Sequence, residues 1–444
     1  MPSGNSTTGN QWEGNHMITF FHRSSVQTPA RSRQRFTPSS LPLAIQTLTL
    51  VFLTLLFAAE SSLALDHSGG IASNETWLAA DNPHNVVGHV TVNAGVTLTL
   101  EAGVEVSLGS NLRLDVFGLL TAIGSSGQEI LFTQNTAAKW NYMRFLSSGS
   151  GIFDYCTIEH SNNGIFAAGS GAIAASNITV QDNTYGIYSV ATAVLSVNNS
   201  RFQNNSYGAY ATGGTFDLSS TTFSGNTTYG FYGQTLAPNL LDTNVVFTDN
   251  ATGFRVDDVA GLNLTTTMNV TGSTTVGIHL EDCDGPTIDN QVLTGNAGAQ
   301  GSLFLDDCGE FTLGAGNTIG GSGLENNWPV TIGAGSYPSA GGVIPTTGNT
   351  NNHIQVNGGT STRTGTWRKF TDLDYIVTGN PTILTGGELT LEPGLNLRFD
   401  PSRRLDVNGT LTAIGAPGQE ILFTRHTSTN WNYVRFLSSG SGTF

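Results

Sequence analysis

The chain has 444 residues, 55 of them glycine, and a net charge of −15 from 32 acidic and 17 basic side chains. Lys139 and Lys369 are its only lysines, so it lacks the clustered cations that nucleic-acid binding requires, and that class of function is excluded. Three cysteines are too few for a disulfide framework, so the fold must depend on its core.

The N-terminal region has the pattern of an export signal. Residues 41–59 carry no charge, four arginines lie between positions 23 and 35, and Ser62–Ala64 offers small residues at a cleavage site. The alternative is an uncleaved signal anchor, because 19 such residues could just span a bilayer. No later stretch is long enough to span, so we expect a secreted or cell-surface protein without a membrane span in the mature chain.

The middle of the chain repeats itself every 22 to 24 residues. A glycine marks each repeat, an apolar residue precedes it, and an asparagine usually lies between the two. The glycines are Gly164, Gly186, Gly208, Gly230, Gly253 and Gly277. The apolar residues are Ile158, Val180, Phe202, Phe223, Phe247, Val270 and Leu293, and the asparagines are Asn183, Asn205, Asn226, Asn250 and Asn296. Such a period predicts a solenoid in which each coil buries its apolar face against its neighbours.

Within each repeat, apolar and polar residues alternate, as they do from Asn177 to Val180, which is the period of a strand. We therefore predict an all-β solenoid with coils of about 22–24 residues, in which the asparagines could stack as a ladder. The segments Val180–Gly186, Phe202–Gly208 and Phe223–Gly230 resemble the coils of the right-handed parallel β-helix of the pectin-lyase-like superfamily, of the secreted bacterial type.

Three tyrosines, Tyr188, Tyr210 and Tyr232, lie two residues after the repeat glycine in successive coils. This spacing predicts an aromatic stack along the solenoid. The stack could either cover the coils or bind sugars.

A longer repeat relates residues 77–153 to residues 367–444. From Asp115–Phe153 to Asp406–Phe444, 28 of 39 positions are identical at a spacing of 291 residues, which indicates a duplicated module. The second copy stops where the first enters its regular coils, so we expect a truncated second β-helix. The predicted boundaries are 1–64 for the basic region and signal peptide, 65–153 for the opening segment, 154–330 for regular coils, 331–365 for irregular coils or a linker, and 366–444 for the duplicated opening segment.

Cys283 and Cys308 are 25 residues apart, which is one coil, and each follows an aspartate. Stacked strands lie about 4.8 Å apart, within the range of a disulfide, so the pair could form one or remain reduced.

Three successive coils place carboxylates at one position, where other coils have small or neutral residues. These carboxylates are Asp257, Asp258, Glu281, Asp282, Asp306 and Asp307. Like charges this close cannot all ionise freely without a compensating cation. Three hypotheses remain open: a solvated acidic edge, a calcium site formed by all six, and a glycosidase site whose candidate catalytic residues are Asp258, Asp282 and Asp307.

The resemblance to the pectin-lyase-like superfamily gives only partial support for an enzymatic function. Polygalacturonases of this superfamily draw their acids from adjacent coils, but the Asn-Thr-Asp, Gly-His-Gly and Arg-Ile-Lys motifs are absent here. Arg255 is the only lysine or arginine between Arg201 and Arg363, whereas a uronate cleft or a lyase needs cations. We therefore expect an exported non-catalytic module for surface display, adhesion or contact with a polysaccharide or cell-surface glycan. The alternative is a polysaccharide lyase or glycoside hydrolase that uses residues 257–307.

Overall fold

The computed structural model describes residues 64–190, 192–237 and 243–444. The predicted signal peptide and its anchor alternative lie outside these residues. Within them the chain is an all-β parallel β-solenoid of about 15 turns, as predicted. The described residues include a single short 3-10 helix, Ala79–Asp81, and no long apolar helix of the kind that crosses a bilayer.

Parallel strands stack coil upon coil in three long ladders. Strands Leu65–Ile71 and His84–Val92 open the main sheet, and His84–Val92 pairs with the first strand of two ladders. The first ladder contains Glu105–Leu108, Ile130–Gln134, Cys156–Glu159, Thr179–Gln181, Arg201–Gln203, Thr222–Ser224, Val245–Thr248, Met268–Thr271, Val292–Thr294 and Thr318–Ile319. The second ladder contains Arg113–Val116, Trp140–Phe145, Ser161–Ala167, Tyr185–Val190, Tyr207–Thr212, Tyr229–Gln234, Thr252–Asp257, Val276–Glu281, Leu303–Asp306, Val330–Gly333, Ile354–Gly358, Tyr375–Val377, Asn396–Phe399 and Leu422–Arg425.

A third ladder and three smaller sheets complete the coils. The third ladder contains Glu75–Trp77, Thr97–Leu100, Leu119–Ile123, Ser150–Asp154, Ala172–Ser176, Val194–Asn198 and Thr215–Ser219. The smaller sheets contain Asn263–Leu264, Thr287–Ile288, Gly309–Leu313 and Ser336–Pro338; Thr360–Ser361, Thr382–Ile383, Leu405–Val407 and Val434–Phe436; and Thr364–Trp367, Glu388–Leu391, Thr410–Thr412 and Ser441–Thr443.

The predicted apolar column forms the centre of the core. Its residues pair in register from Ile158 to Leu293 along the first ladder, and all of them are buried. The rings of Phe223 lie 4.9 Å from Phe202 and 5.0 Å from Phe247, centroid to centroid, in stacked geometry. Each coil therefore buries its apolar face against the next, which is the solenoid principle.

The predicted asparagine ladder is confirmed. The side-chain Nδ2 of Asn205 donates to Oδ1 of Asn226 at 3.2 Å, and Asn226 donates in turn to Oδ1 of Asn250 at 2.8 Å. Each Oδ1 also accepts from the backbone N–H of the preceding asparagine, and each Nδ2 also donates to a backbone carbonyl. The ladder thus satisfies buried turn groups in every coil that carries it.

The second ladder continues through residues 331–365 and into 366–444. Strand Val330–Gly333 pairs with Ile354–Gly358, which pairs with Tyr375–Val377. The duplication is visible in the contacts: Asp115 accepts from Nε of Arg113 at 2.8 Å and of Arg144 at 2.9 Å, and Asp406 is bonded at the same distances by arginines 291 residues further along. The division of the solenoid into domains stays a prediction.

Candidate functional site

The outer face of the second ladder carries two adjacent columns of aromatic rings. The pattern of buried residues along each strand of this ladder explains why the rings lie outside. In Tyr185–Val190 Gly186 and Ile187 are both buried, so Tyr185 and Tyr188 both point outward, and the same pattern recurs in the next two coils. We call the resulting surface the tyrosine platform, and it comprises Tyr142, Phe166, Tyr185, Tyr188, Tyr207, Tyr210, Tyr229 and Tyr232.

The rings of the tyrosine platform contact one another along and across the columns. Tyr185 stacks on Tyr207 at 4.6 Å, and Tyr210 stacks on Tyr232 at 4.7 Å. Between the columns, Tyr207 and Tyr210 lie 5.7 Å apart in edge-to-face geometry. The predicted aromatic stack is therefore confirmed. Its rings are partly exposed at the surface of the solenoid.

An arginine bounds the tyrosine platform at each end. Arg144 lies in register with Phe166 and 4.9 Å from the ring centre of Tyr142. Arg255 lies in register with Tyr232 and 5.5 Å from its ring centre. Both arginines are already paired with carboxylates, so the platform is an apolar strip with neutralised ends.

The six predicted carboxylates do meet at one edge, which we call the acidic cluster. Asp257 pairs in register with Glu281, and Glu281 pairs with Asp306. The residue directly after each of these strands is an aspartate with a left-handed φ: 57° for Asp258, 52° for Asp282 and 50° for Asp307. Aspartate tolerates this conformation, so turn geometry accounts for the second set.

Two arginines and a tyrosine hydroxyl contact carboxylates of the acidic cluster. Arg255 pairs with Asp257 and Glu281, and the Tyr232 hydroxyl donates to Asp257 at 2.8 Å. Arg363 pairs with Asp284 and, at 3.2 Å, with Asp307. The protein itself thus supplies two cations that offset part of the charge of the acidic cluster.

Sequence reasoning missed two parts of this site. The column of Tyr185, Tyr207 and Tyr229 is present in the repeat motif, directly before each glycine, and could have been found there. Arg363 could not have been found, because it approaches Asp284 from 79 residues further along the chain.

Among the carboxyl groups of the acidic cluster, that of Asp306 has the most strongly shifted pKa. Burial and the neighbouring Glu281, Asp307 and Asp282 raise its pKa to about 6. Burial also holds the pKa of His279 down to about 3, with help from Arg255, so this imidazole stays neutral. The imidazole ring of His279 stacks on the ring of Phe304, with 4.5 Å between the ring centroids.

The raised pKa of Asp306 predicts a loss of stability as the pH rises through about 6. The protonated carboxyl group of Asp306 contributes its full stabilisation of the fold below the unfolded-state pKa, near 3.9. This stabilisation is lost as the pH rises above the folded-state pKa. We expect the free energy of unfolding of Asp306→Asn to exceed that of wild type by about 1 kcal/mol at pH 7, after allowance for solvent screening. At pH 4 the two proteins should differ little. Thermal unfolding at both pH values tests this, and an equal difference at the two values would contradict it.

The acidic cluster does not have the arrangement of a metal site. Across residues 64–190, 192–237 and 243–444, no group of three or more histidine, cysteine, aspartate or glutamate side chains is placed to hold a metal ion. The calcium hypothesis therefore has no support from the geometry.

Comparisons with known proteins agree with the fold. Residues 123–300, less than half of the chain, match the family model described as "Periplasmic copper-binding protein (NosD)". A curated relative, "Protein bark beetle" of Drosophila melanogaster, is 34% identical over 55 residues, which are 12% of this chain and 2% of that protein. The chain thus spans a very small part of that relative. No solved structure matches.

The residues present do not fit copper. Within the matched region, Cys156 and Cys283 are buried and hydrogen-bonded to backbone carbonyls, as is Cys308 just beyond it, and the largely buried His279 stacks on Phe304. Copper sites need several imidazole or sulfur ligands that converge on one point. The described part of the chain has no such convergence.

Proposed function

Because residues 123–300 form a NosD-like domain of a right-handed parallel β-helix, we propose that this chain is an exported, non-catalytic module that binds an extended glycan. The observation that carries the proposal is the tyrosine platform. In the column between Arg144 and Arg255 it runs unbroken for four coils, from Phe166 to Tyr232, on the outer face of the longest ladder.

The geometry of the tyrosine platform suits a sugar chain. Aromatic rings bind the apolar faces of pyranoses, and the hydroxyls of the platform tyrosines other than Tyr232, whose hydroxyl donates to Asp257, can bond to sugar hydroxyls. Parallel strands lie about 4.8 Å apart, which is close to the length of one pyranose unit in an extended chain. Successive sugars can therefore meet successive coils, as solenoid faces commonly do with long partners.

The charges around the tyrosine platform favour an uncharged glycan. The whole chain carries a net charge of −15, and the acidic cluster lies directly beyond Tyr232. Arg255, the nearest cation, is occupied by Asp257 and Glu281. A polyuronate would therefore meet an unfavourable potential at this end of the tyrosine platform.

Titration calorimetry tests the proposal. The probes are neutral hexasaccharides, namely cellohexaose, chitohexaose and laminarihexaose, with hexagalacturonate as the charged comparison. We expect at least one neutral chain to bind more tightly than hexagalacturonate. The double variant Tyr207→Ser, Tyr210→Ser should weaken that binding by at least about 30-fold, because it removes two central rings.

Tyr433→Ser is the matched control. Tyr433 is an outward-facing tyrosine that lies beside an arginine, as Tyr142 does, but it belongs to the duplicated segment outside the tyrosine platform. This variant should bind like wild type. Failure of every neutral chain to bind, or equal binding by the double variant with its fold intact, would refute the proposal.

A polysaccharide lyase or glycoside hydrolase is the second candidate, favoured by one observation. Asp306 has a pKa of about 6 and lies beside Glu281, so one carboxyl could remain protonated while its neighbour is ionised. Incubation of the same hexasaccharides with the protein, followed by measurement of new reducing ends, separates the candidates. A non-catalytic module releases none, whereas an enzyme releases ends and loses this activity in Asp306→Asn.

A further inference from the structure

Cys283 and Cys308 project into the core from consecutive coils. Each lies two residues beyond the register pair Glu281 and Asp306, so the two cysteines are stacked one above the other. Both side chains are fully buried. Parallel strands are about 4.8 Å apart, within the roughly 4.4–6.8 Å between Cα atoms that a disulfide spans.

The two thiols lie close enough to influence each other's ionisation. Both are free in this structure. Interaction with Cys308 lowers the pKa of Cys283, whereas burial and interaction with Cys283 raise the pKa of Cys308. The sulfur of Cys308 also lies 3.3 Å from the carbonyl of Leu280, in the coil that carries Cys283.

We propose that Cys283 and Cys308 form a disulfide that joins two adjacent coils beneath the acidic cluster. The geometry that supports it is the strand register and the shared burial of the two side chains, and it does not depend on glycan binding. An extracytoplasmic location supplies the oxidising conditions under which such bonds persist.

The reaction is a thiol–disulfide exchange with a disulfide donor, such as an exported dithiol oxidase or oxidised glutathione. The Cys283 thiolate attacks the donor disulfide, which releases one donor thiolate and leaves a mixed disulfide. The Cys308 thiolate then attacks the sulfur of Cys283 and releases the second donor thiolate. Two protein thiols are oxidised and one donor disulfide is reduced to two thiols. Because both cysteines are buried in the folded coil, the exchange must precede closure of the core.

Cys156 is the internal control, because it lies in register with Ile130 rather than with another cysteine.

The test counts thiols in the full chain after refolding with oxidised glutathione. The protein is denatured in the presence of a maleimide that labels free thiols, with and without prior reduction, and its mass is measured. We expect one labelled cysteine without reduction, all three after reduction, and a Cys283–Cys308 peptide in a digest. Three labelled cysteines without reduction, or a cross-link to Cys156, would overturn the proposal.

A second measurement separates a structural bond from an incidental one. Reductant should lower the melting temperature of wild type by roughly 4 °C, because the bond closes a loop of one coil. The variant Cys283→Ser, Cys308→Ser should not respond to reductant, whereas Cys156→Ser should respond like wild type. An unchanged melting temperature of oxidised wild type in reductant would also count against the proposal.

Discussion

Replacing Gly208 with alanine is expected to destabilise the solenoid by about 3 kcal/mol or more. A Cβ added at Gly208 would lie 2.4 Å from the carbonyl oxygen of Gly230 in the next coil and 2.8 Å from Cδ1 of Phe223. The first contact is with backbone, so the coils must separate before the methyl group fits. Urea unfolding of wild type and Gly208→Ala measures the difference.

Gly341→Ala provides the matched control for this prediction. Nothing lies within 4 Å of the position that its Cβ would take, and its φ is ordinary. We expect this variant to unfold within about 0.5 kcal/mol of wild type. If Gly208→Ala were as stable as Gly341→Ala, close approach of the coils would not be the reason for the repeat glycine.

Replacing Asn226 with alanine is expected to destabilise the protein by about 3 kcal/mol. The substitution removes the donor to the Phe202 carbonyl, at 3.1 Å, and the acceptor of the Asn205 backbone N–H, also at 3.1 Å. Both groups are buried and would be left without partners, and each such loss costs about 1–3 kcal/mol. The same urea unfolding experiment measures the effect.

Thr227→Ala is the control for the asparagine variant, because Thr227 is the exposed neighbour in the same turn. Its backbone N–H bonds to the Asn205 carbonyl, and alanine keeps that bond. We expect a change below about 0.5 kcal/mol. Similar losses in the two variants would mean that the turn as a whole, rather than the asparagine ladder, determines stability.

The repeat period made most of the fold predictable. A single position per coil, such as Phe202 and Phe223, identifies the inner column, because every coil meets the same neighbour in the same way. The structural role of the repeat glycine was harder to predict from the sequence. Gly208 was recognisable as a marker, but the carbonyl of the next coil that excludes a side chain appears only when the coils are stacked.

The candidate site was predictable to the extent that it follows the repeat. Tyr188, Tyr210 and Tyr232 align in sequence and therefore align in space. The pairing of Arg363 with Asp307 breaks the period, since coils after residue 307 have different lengths, and sequence offsets no longer report which residues meet. Compensation of the acidic cluster by arginine thus required the three-dimensional structure.

The most direct test of the central claim is a crystal structure of the protein with the neutral hexasaccharide that binds most tightly. The account predicts a sugar chain that lies along the solenoid axis on the tyrosine platform, with pyranose rings over Tyr207 and Tyr210. A sugar chain bound elsewhere, with these rings uncovered, would contradict it.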